Sequence, residues 1–365
     1  MASPEKQRRV TIRILVVMAV IIGFPILSKF MPLPDWVTDT GVKSGYQGLT
    51  WMDNDRIMFV KMKDAAPGER KDLMEMAIWN MKDGKGKLEL YPTDHLPGSG
   101  TICYAEGRLV YPKFPKVYGG ETHFARQGGQ ETSMRPYDIN GFSIAFREYF
   151  ERQPFNPHTC RNEVTPDTMK DKALWVRPLR RGDGYLAMPT TEDFVYWYAD
   201  RTAKGIPLSI PQNTDTHIAK YHPYRDAYYL GPRNPSVANH CYDIWWFSLG
   251  KKPEHQCVPE DTDFRILEPT KTGMFIVNGE GGGMPNKNWN GGYFYRDERI
   301  IELLKGVIRS AEVSPDGCRV AVLHETQGYR YFGVIGPGNA PPTLKIIDVC
   351  SDIEAFDDLS SITFY

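Results

Sequence analysis

Six cysteines, a few histidine and carboxylate pairs and one glycine-rich loop are the residues best suited to chemistry in this 365-residue sequence. Cys103, Cys160, Cys241, Cys257, Cys318 and Cys350 show no C-x-x-C spacing, which disfavours zinc and leaves disulfides or buried thiols. The loop "NGEGGGMPNKNWNGG" (278–292) is dense enough in glycine to let a ligand approach its backbone. Asn278, Glu280 and Asn286 offer oxygen there to a cation such as Ca²⁺, the one cofactor the sequence suggests. A flexible connection between strands explains the same composition more simply. The loop lacks the G-x-G-x-x-G order of a nucleotide site. Asp53-Asn54-Asp55 has the D-x-D form of a glycosyltransferase metal site, but its place between two apolar runs reads first as a hairpin turn. His217 and His222 are five apart, a spacing that separates them on a strand and on a helix alike. His324-Glu325 begins like a zincin helix and lacks its second histidine. No G-x-S-x-G elbow or Walker loop is present. The clusters "YWY" (196–198) and "YDIWWF" (242–247) could stack on sugar rings, although in strands such residues usually pack between sheets.

Strands must hold these groups, and "SPDGCRVAVLHE" (314–325) sets their pattern. Pro315 presets the first dihedral of a turn and Gly317 accepts positive φ, so Asp316-Gly317 predicts a hairpin. The residues after it alternate with the period of a strand. Comparable turn-then-strand units occur at 48–90, 101–114, 179–210, 219–257, 266–304 and 314–352. Their turn cores include Asp53-Asn54-Asp55, Ala105-Glu106-Gly107, Arg225-Asp226 and Lys271-Thr272-Gly273. The period is about 40 to 50 residues, the range of four-stranded propeller blades. Six repeats predict an all-β, six-bladed β-propeller over residues 34–365, because a closed ring buries both faces of each blade and protects its edges. A β-sandwich is the competing arrangement. One repeat is too long: residues 115–178 are rich in Pro, Arg and Asn and read as an insertion, partly helical around "FSIAFREYFER" (142–152).

The N-terminus adds a membrane element. Residues 1–9 are basic and precede an apolar stretch over 10–33 whose uncharged core is Ile14–Ser28. A span needs about 20 apolar residues, a length reached here if Arg13 and Lys29 snorkel outward. A cleaved signal peptide is the alternative, but no small-x-small site follows the run. A retained anchor with a cytoplasmic tail places everything after about Pro34 outside the cytosol, where disulfides persist. Without an N-x-S/T acceptor, that compartment reads as a bacterial periplasm and the anchor as a single pass of the inner membrane. The formal net charge of -1 gives no basic field for nucleic acid.

"SPDGCRVAVLHE" followed by "LKIIDVCSD" (344–352) resembles the repeat of TolB-like, WD40-like (PD40-type) propellers. Only this repeat has the full tetrapeptide; "HPYRDA" stands in its place in the fourth. The resemblance implies a ring of blades and a frequent role in binding proteins or small ligands, and it carries over no catalytic residue.

The repeat reading predicts cysteine pairs. Cys241 and Cys257 are equidistant from the "LGKK" turn, and Cys318 and Cys350 from the "GPGN" loop, so each pair falls on adjacent strands within disulfide reach. Cys103 and Cys160 remain and would tie the insertion to the second blade. Free buried thiols are the alternative.

These features point to a membrane-anchored, extracytoplasmic propeller that binds an envelope protein or acts as a scaffold. A propeller-type hydrolase acting on a glycan or lactone is the competing function, and a structural subunit of a secretion or pilus machine a third. An enzyme would gather titratable side chains at the mouth of the ring.

Overall fold

The computed structural model describes residues 33–62, 74–90, 103–105, 108–113, 122–127, 130–134, 155–156, 161–162, 173–179, 183–189, 194–200, 204–211, 216–232, 241–259, 264–278, 291–325, 341–351 and 353. The described chain is all-β, with one short 3-10 turn at Pro223–Arg225.

The strands follow one another in antiparallel groups of four. β1 (Val37–Trp51), β2 (Arg56–Met62), β3 (Met74–Asn80) and β4 (Lys87–Leu90) come first, then β5 (Cys103–Ala105), β6 (Arg108–Lys113), β7 (Thr122–Gln127) and β8 (Gln130–Met134). A two-stranded ladder of β9 (Phe155–Asn156) and β10 (Arg161–Asn162) intervenes. The third group is β11 (Ala173–Pro178), β12 (Tyr185–Pro189), β13 (Phe194–Tyr198) and β14 (Ile206–Pro211). The fourth is β15 (Thr216–His222), β16 (Ala227–Pro232), β17 (Cys241–Phe247) and β18 (Glu254–Pro259). The fifth is β19 (Phe264–Pro269), β20 (Met274–Asn278), β21 (Gly291–Arg296) and β22 (Arg299–Lys305). β23 (Val307–Val313), β24 (Arg319–Glu325) and β25 (Thr343–Asp348) supply only three strands to the last group.

β1 supplies the fourth. Its first half pairs with β25, Val37 opposite Ile347 and Lys43 opposite Thr343, and its second half pairs with β2, Trp51 opposite Ile57. Irregular register between Asp39 and Lys43, and again between Ser44 and Leu49, breaks β1 into two working pieces. The N-terminal strand therefore completes the last sheet and then opens the first. No edge strand is left at this seam.

The core lies between consecutive sheets. Tyr228, Leu230 and Phe247 of the fourth sheet pack against Leu186, Val195 and Ile210 of the third. Tyr229, Ile244 and Trp246 meet Met274, Ile276 and Tyr293 of the fifth. Phe275 and Phe294 meet Val320, Val322 and Ile347 of the sixth. Ala321, Leu323 and Ile346 meet Trp51, Ile57 and Phe59 of the first. Each of β2, β16, β20 and β24 is buried on both faces, which explains its nearly unbroken apolar run.

The expected insertion needs narrower bounds. β7 and β8 finish the second sheet and β11 opens the third, all inside residues 115–178. Between them only β9 and β10 are described, and the expected helix at 142–152 lies outside the described residues. Residues 1–32 also lie outside them, and among the described residues no helix is long and apolar enough to cross a membrane.

Candidate functional site

The first strands of the fourth, fifth and sixth sheets carry charge at one level, just before their turns. Lys220 of β15, Glu268 of β19 and Glu312 of β23 each sit one or two residues from the strand end. The Lys220 ammonium donates to Glu268 Oε2 at 2.9 Å and lies 3.9 Å from Glu312 Oε1. Glu312 Oε2 accepts the backbone N–H of Trp51 at 3.2 Å, and the Glu312 carbonyl accepts the Trp51 indole N–H at 2.8 Å. The Lys220–Glu312 contact passes over the fifth sheet to join the fourth and the sixth. Such reach requires the first strands to converge on a common axis.

Burial and neighbours set the protonation of this cluster. Burial raises the Glu312 carboxyl, and nearby Glu268 raises it further; Lys220 and the bonds from Trp51 and Thr50 pull it back. The result is a carboxyl titrating at about 7, with 23% of its side chain exposed. Burial opposes charge on Lys220, but Glu268 and Glu312 outweigh that effect and hold its ammonium above the ordinary value. Near neutrality the group can bind or release one proton at Glu312. The phenols of Tyr224 and Tyr229 are raised by burial and by Glu268, so both stay protonated.

The turns beyond these strands lock together. In Ser314-Pro315-Asp316-Gly317, Gly317 takes φ 76° and its N–H donates to Ser314 O. Asp316 Oδ1 accepts from Ser314 Oγ and from the Cys318 N–H. Asn54 Oδ1 accepts the Asp316 N–H at 2.9 Å, and Arg319 donates to Asn54 O and Asp55 Oδ1. Lys271 N–H donates to Gly317 O, while the Tyr224 ring stands 2.7 Å from where a Cβ on Gly317 would be. Asp53-Asn54-Asp55 is thus a turn, as its surroundings suggested. Burial opposes charge on Asp53, but the Arg56 bond at 2.7 Å, the Arg56 charge and the backbone N–H groups of Asp55 and Arg56 together hold its carboxyl below the usual range.

Other sequence candidates take structural places. Cys318 and Cys350 form a disulfide, Cα atoms 5.0 Å apart, across the ends of β24 and β25. Cys257 is disulfide-bonded too, and β-ladder register puts Cys241 opposite Pro259, one diagonal step from it. Cys103 opens β5, and Cys160 lies outside the described residues. Asn278 ends β20 opposite Phe264 and Gly291. Glu280 and Asn286 lie outside the described residues, and among those described no group of three His, Cys, Asp or Glu could hold a metal ion. His222 is buried against the rings of Tyr224, Tyr229 and Trp246. His324 Nε2 donates to Lys305 O at 2.7 Å and Glu325 pairs with Arg309. Of the aromatic clusters, Tyr242, Trp246 and Phe247 are buried between sheets; Trp246 also takes Arg225 over its ring at 4.1 Å. Sequence reasoning passed over Lys220, Glu268 and Glu312. The signal available was a charged residue recurring just before the turn of successive apolar first strands.

No protein-family model matches the sequence, and no curated protein matches it. Solved structures resemble it at low identity. An acylaminoacyl peptidase of Pyrococcus horikoshii shares 12% identity over 84% of this chain and 51% of its own, with a TM-score of 0.44. A luciferin-regenerating enzyme shares 7% over 86% of this chain and 95% of its own, TM-score 0.39. The β-propeller domain of the Trilobed protease from Pyrococcus furiosus shares 10% over 78% of this chain and 81% of its own, TM-score 0.30. The chain spans about half the length of the acylaminoacyl peptidase it resembles. At these scores the likenesses carry no argument about function.

Proposed function

We propose that this chain is a six-bladed β-propeller of the TolB-like, WD40-like kind, held at the periplasmic face of a bacterial inner membrane by its N-terminal apolar run, and that it binds or scaffolds another envelope protein. The observation that carries this reading is how the inner-strand charges are used. Lys220, Glu268 and Glu312 are engaged with one another and with Trp51 across four sheets, an arrangement suited to holding a rigid ring. A rigid ring leaves recognition to the segments it displays. The Cys318–Cys350 disulfide fits an oxidising compartment, and pairs Cys241–Cys257 and Cys103–Cys160 extend the same logic. The segment between β8 and β11, with its mixture of Arg and aromatic residues, is the proposed recognition surface.

One observation favours a hydrolase as the second reading: Glu312 titrates at about 7, where a general acid or base works best, and remains partly exposed. One experiment addresses both. The full chain, a Glu312→Gln variant and a variant lacking residues 135–172 are each used to recover partners from detergent-solubilised envelopes, and are assayed against glycans and lactones. Scaffolding predicts a partner kept by Glu312→Gln and lost with 135–172. A hydrolytic activity abolished by Glu312→Gln replaces the scaffold reading.

A further inference from the structure

We infer that the end of the ring carrying the first turn of every blade is its membrane-facing side, and that cation-flanked apolar tips there rest on anionic lipid headgroups. This rests on the anchored reading above and adds an orientation and a lipid contact to it.

The geometry begins where the apolar run ends. Leu33 is followed at once by a turn closed by the Val37 N–H on Pro34 O, and the Trp36 carbonyl accepts the Asp348 N–H. Val37 then enters the sixth blade opposite Ile347. Three residues separate the apolar run from a strand already fixed in the ring, and three residues span at most about 11 Å. The ring therefore hangs from its anchor without slack, and the end of the blade holding Val37 lies at the bilayer. That end bears the Ser314–Gly317 turn, because Arg319, just after it, pairs with Asp348. Lys43, at the other end of the same half-strand, pairs with Thr343 and faces away.

The same side is shared by the other blades. Asp316 is bonded to the Asn54 turn of the first blade and Gly317 to Lys271 of the fifth. Tyr224, in the turn of the fourth, abuts Gly317. In the first and fourth blades the second hairpin turn lies at this end also: Met81 N–H reaches Asp55 O, and Ser248 Oγ reaches Asp226 O. The antiparallel order of the third and fifth blades brings the start of β14 and of β22 to the same end.

What these second turns expose suits a headgroup layer. Leu249, 40% exposed, precedes exposed Lys251 and Lys252. Ile206, 51% exposed, follows exposed Lys204 in the third blade, and Ile300, 37% exposed, follows Arg299 in the fifth. The first blade presents Lys82, Lys85 and Lys87 around Asp83. Carboxylates share this end: Asp297 and Glu298 in the fifth blade, Asp83 in the first, and in the fourth Glu254, which Arg225 engages, so the adjacent Lys251 and Lys252 are the cations best placed to meet an anion. Single apolar side chains beside lysines are what an interface between water and acyl chain accommodates, the apolar tip entering and the ammonium pairing with phosphate.

The test uses the full chain reconstituted in phosphatidylcholine vesicles with or without phosphatidylglycerol. A photocrosslinking amino acid is placed singly at Leu249, Ile206 or Lys43, and retention after carbonate extraction is recorded for each. Leu249 and Ile206 are expected to form lipid adducts and Lys43 none. Lys251→Glu with Lys252→Glu is expected to lower the Leu249 adduct in anionic vesicles at least about fivefold, the factor one cation contributes near such a surface. Equal adducts at Lys43 and Leu249, or adducts at none of the three in a chain that resists extraction, overturn the orientation alone. A chain extracted by carbonate overturns the anchor and the orientation together.

Discussion

Trp51 donates twice to Glu312, a residue 261 positions away: its backbone N–H to the carboxylate and its indole N–H to the main-chain carbonyl. The pair stands where the first strand of the last sheet meets the half of β1 that opens the first sheet. Ring closure is thus a hydrogen-bonded seam as well as an apolar contact, which makes it sensitive to single atoms. Trp51→Phe keeps most of the apolar surface and leaves the Glu312 carbonyl without its donor. Global stability is expected to fall by about 1–3 kcal/mol in urea titration. A loss below the error of that titration shows that the indole bond adds nothing to closure.

Glu312 makes the closure depend on pH. Its carboxyl titrates at about 7 in the fold against an ordinary value of 4.5. Between those values the folded chain binds the proton more readily than the unfolded one, so this contribution is complete below pH 4.5 and is lost as pH rises through 7. Glu312→Gln, permanently neutral, is expected to flatten the decline over that window. Parallel stability–pH curves for the two proteins disprove the assignment.

His324 acts in the opposite sense. Burial, the largest effect, and nearby Lys345 hold its imidazole down to about 4 from 6.5. Its stabilising contribution is present above pH 6.5 and is lost as pH falls through 4, because the unfolded chain takes up the proton first. Nε2 donates to Lys305 O, and Nδ1 is buried without a hydrogen-bond partner among the described residues. His324→Gln can keep the donor without the titration. Its acid unfolding midpoint should move downward; an unchanged midpoint removes His324 as the cause.

The Cys318–Cys350 bridge closes a loop with a sequence separation of 32 residues beside the seam. Opening it with Cys318→Ser and Cys350→Ser together is expected to cost about 3–4 kcal/mol, chiefly by loosening the unfolded chain. Urea midpoints of the double variant and of the parent measure this, and equal midpoints contradict it.

Gly317 combines a φ of 76° with the Tyr224 ring 2.7 Å from where its Cβ would stand. Gly317→Ala is expected to destabilise by at least about 1 kcal/mol, with Gly317→Ala in a Tyr224→Ala background recovering the steric part. Thermal unfolding of the four proteins in that cycle separates the two effects, and additivity excludes the clash.

The local units were legible because turn chemistry and strand alternation act over a few residues. Ser314–Gly317 and Lys271-Thr272-Gly273 marked their hairpins, and equal distance from a loop paired Cys318 with Cys350. The hairpin at Asp297-Glu298 was not marked, since both residues take positive φ without the usual glycine or asparagine. β7, β8 and β11 were hidden in a stretch whose Pro and Arg content masked the alternation. Sequence alone determined an all-β chain of repeated antiparallel hairpins with at least one predictable disulfide. Only the tertiary structure decided that β1 serves two sheets and that Lys220, Glu268 and Glu312 meet. Those contacts depend on how far each sheet turns relative to the one before it, a rotation accumulated over whole sheets that no local periodicity records.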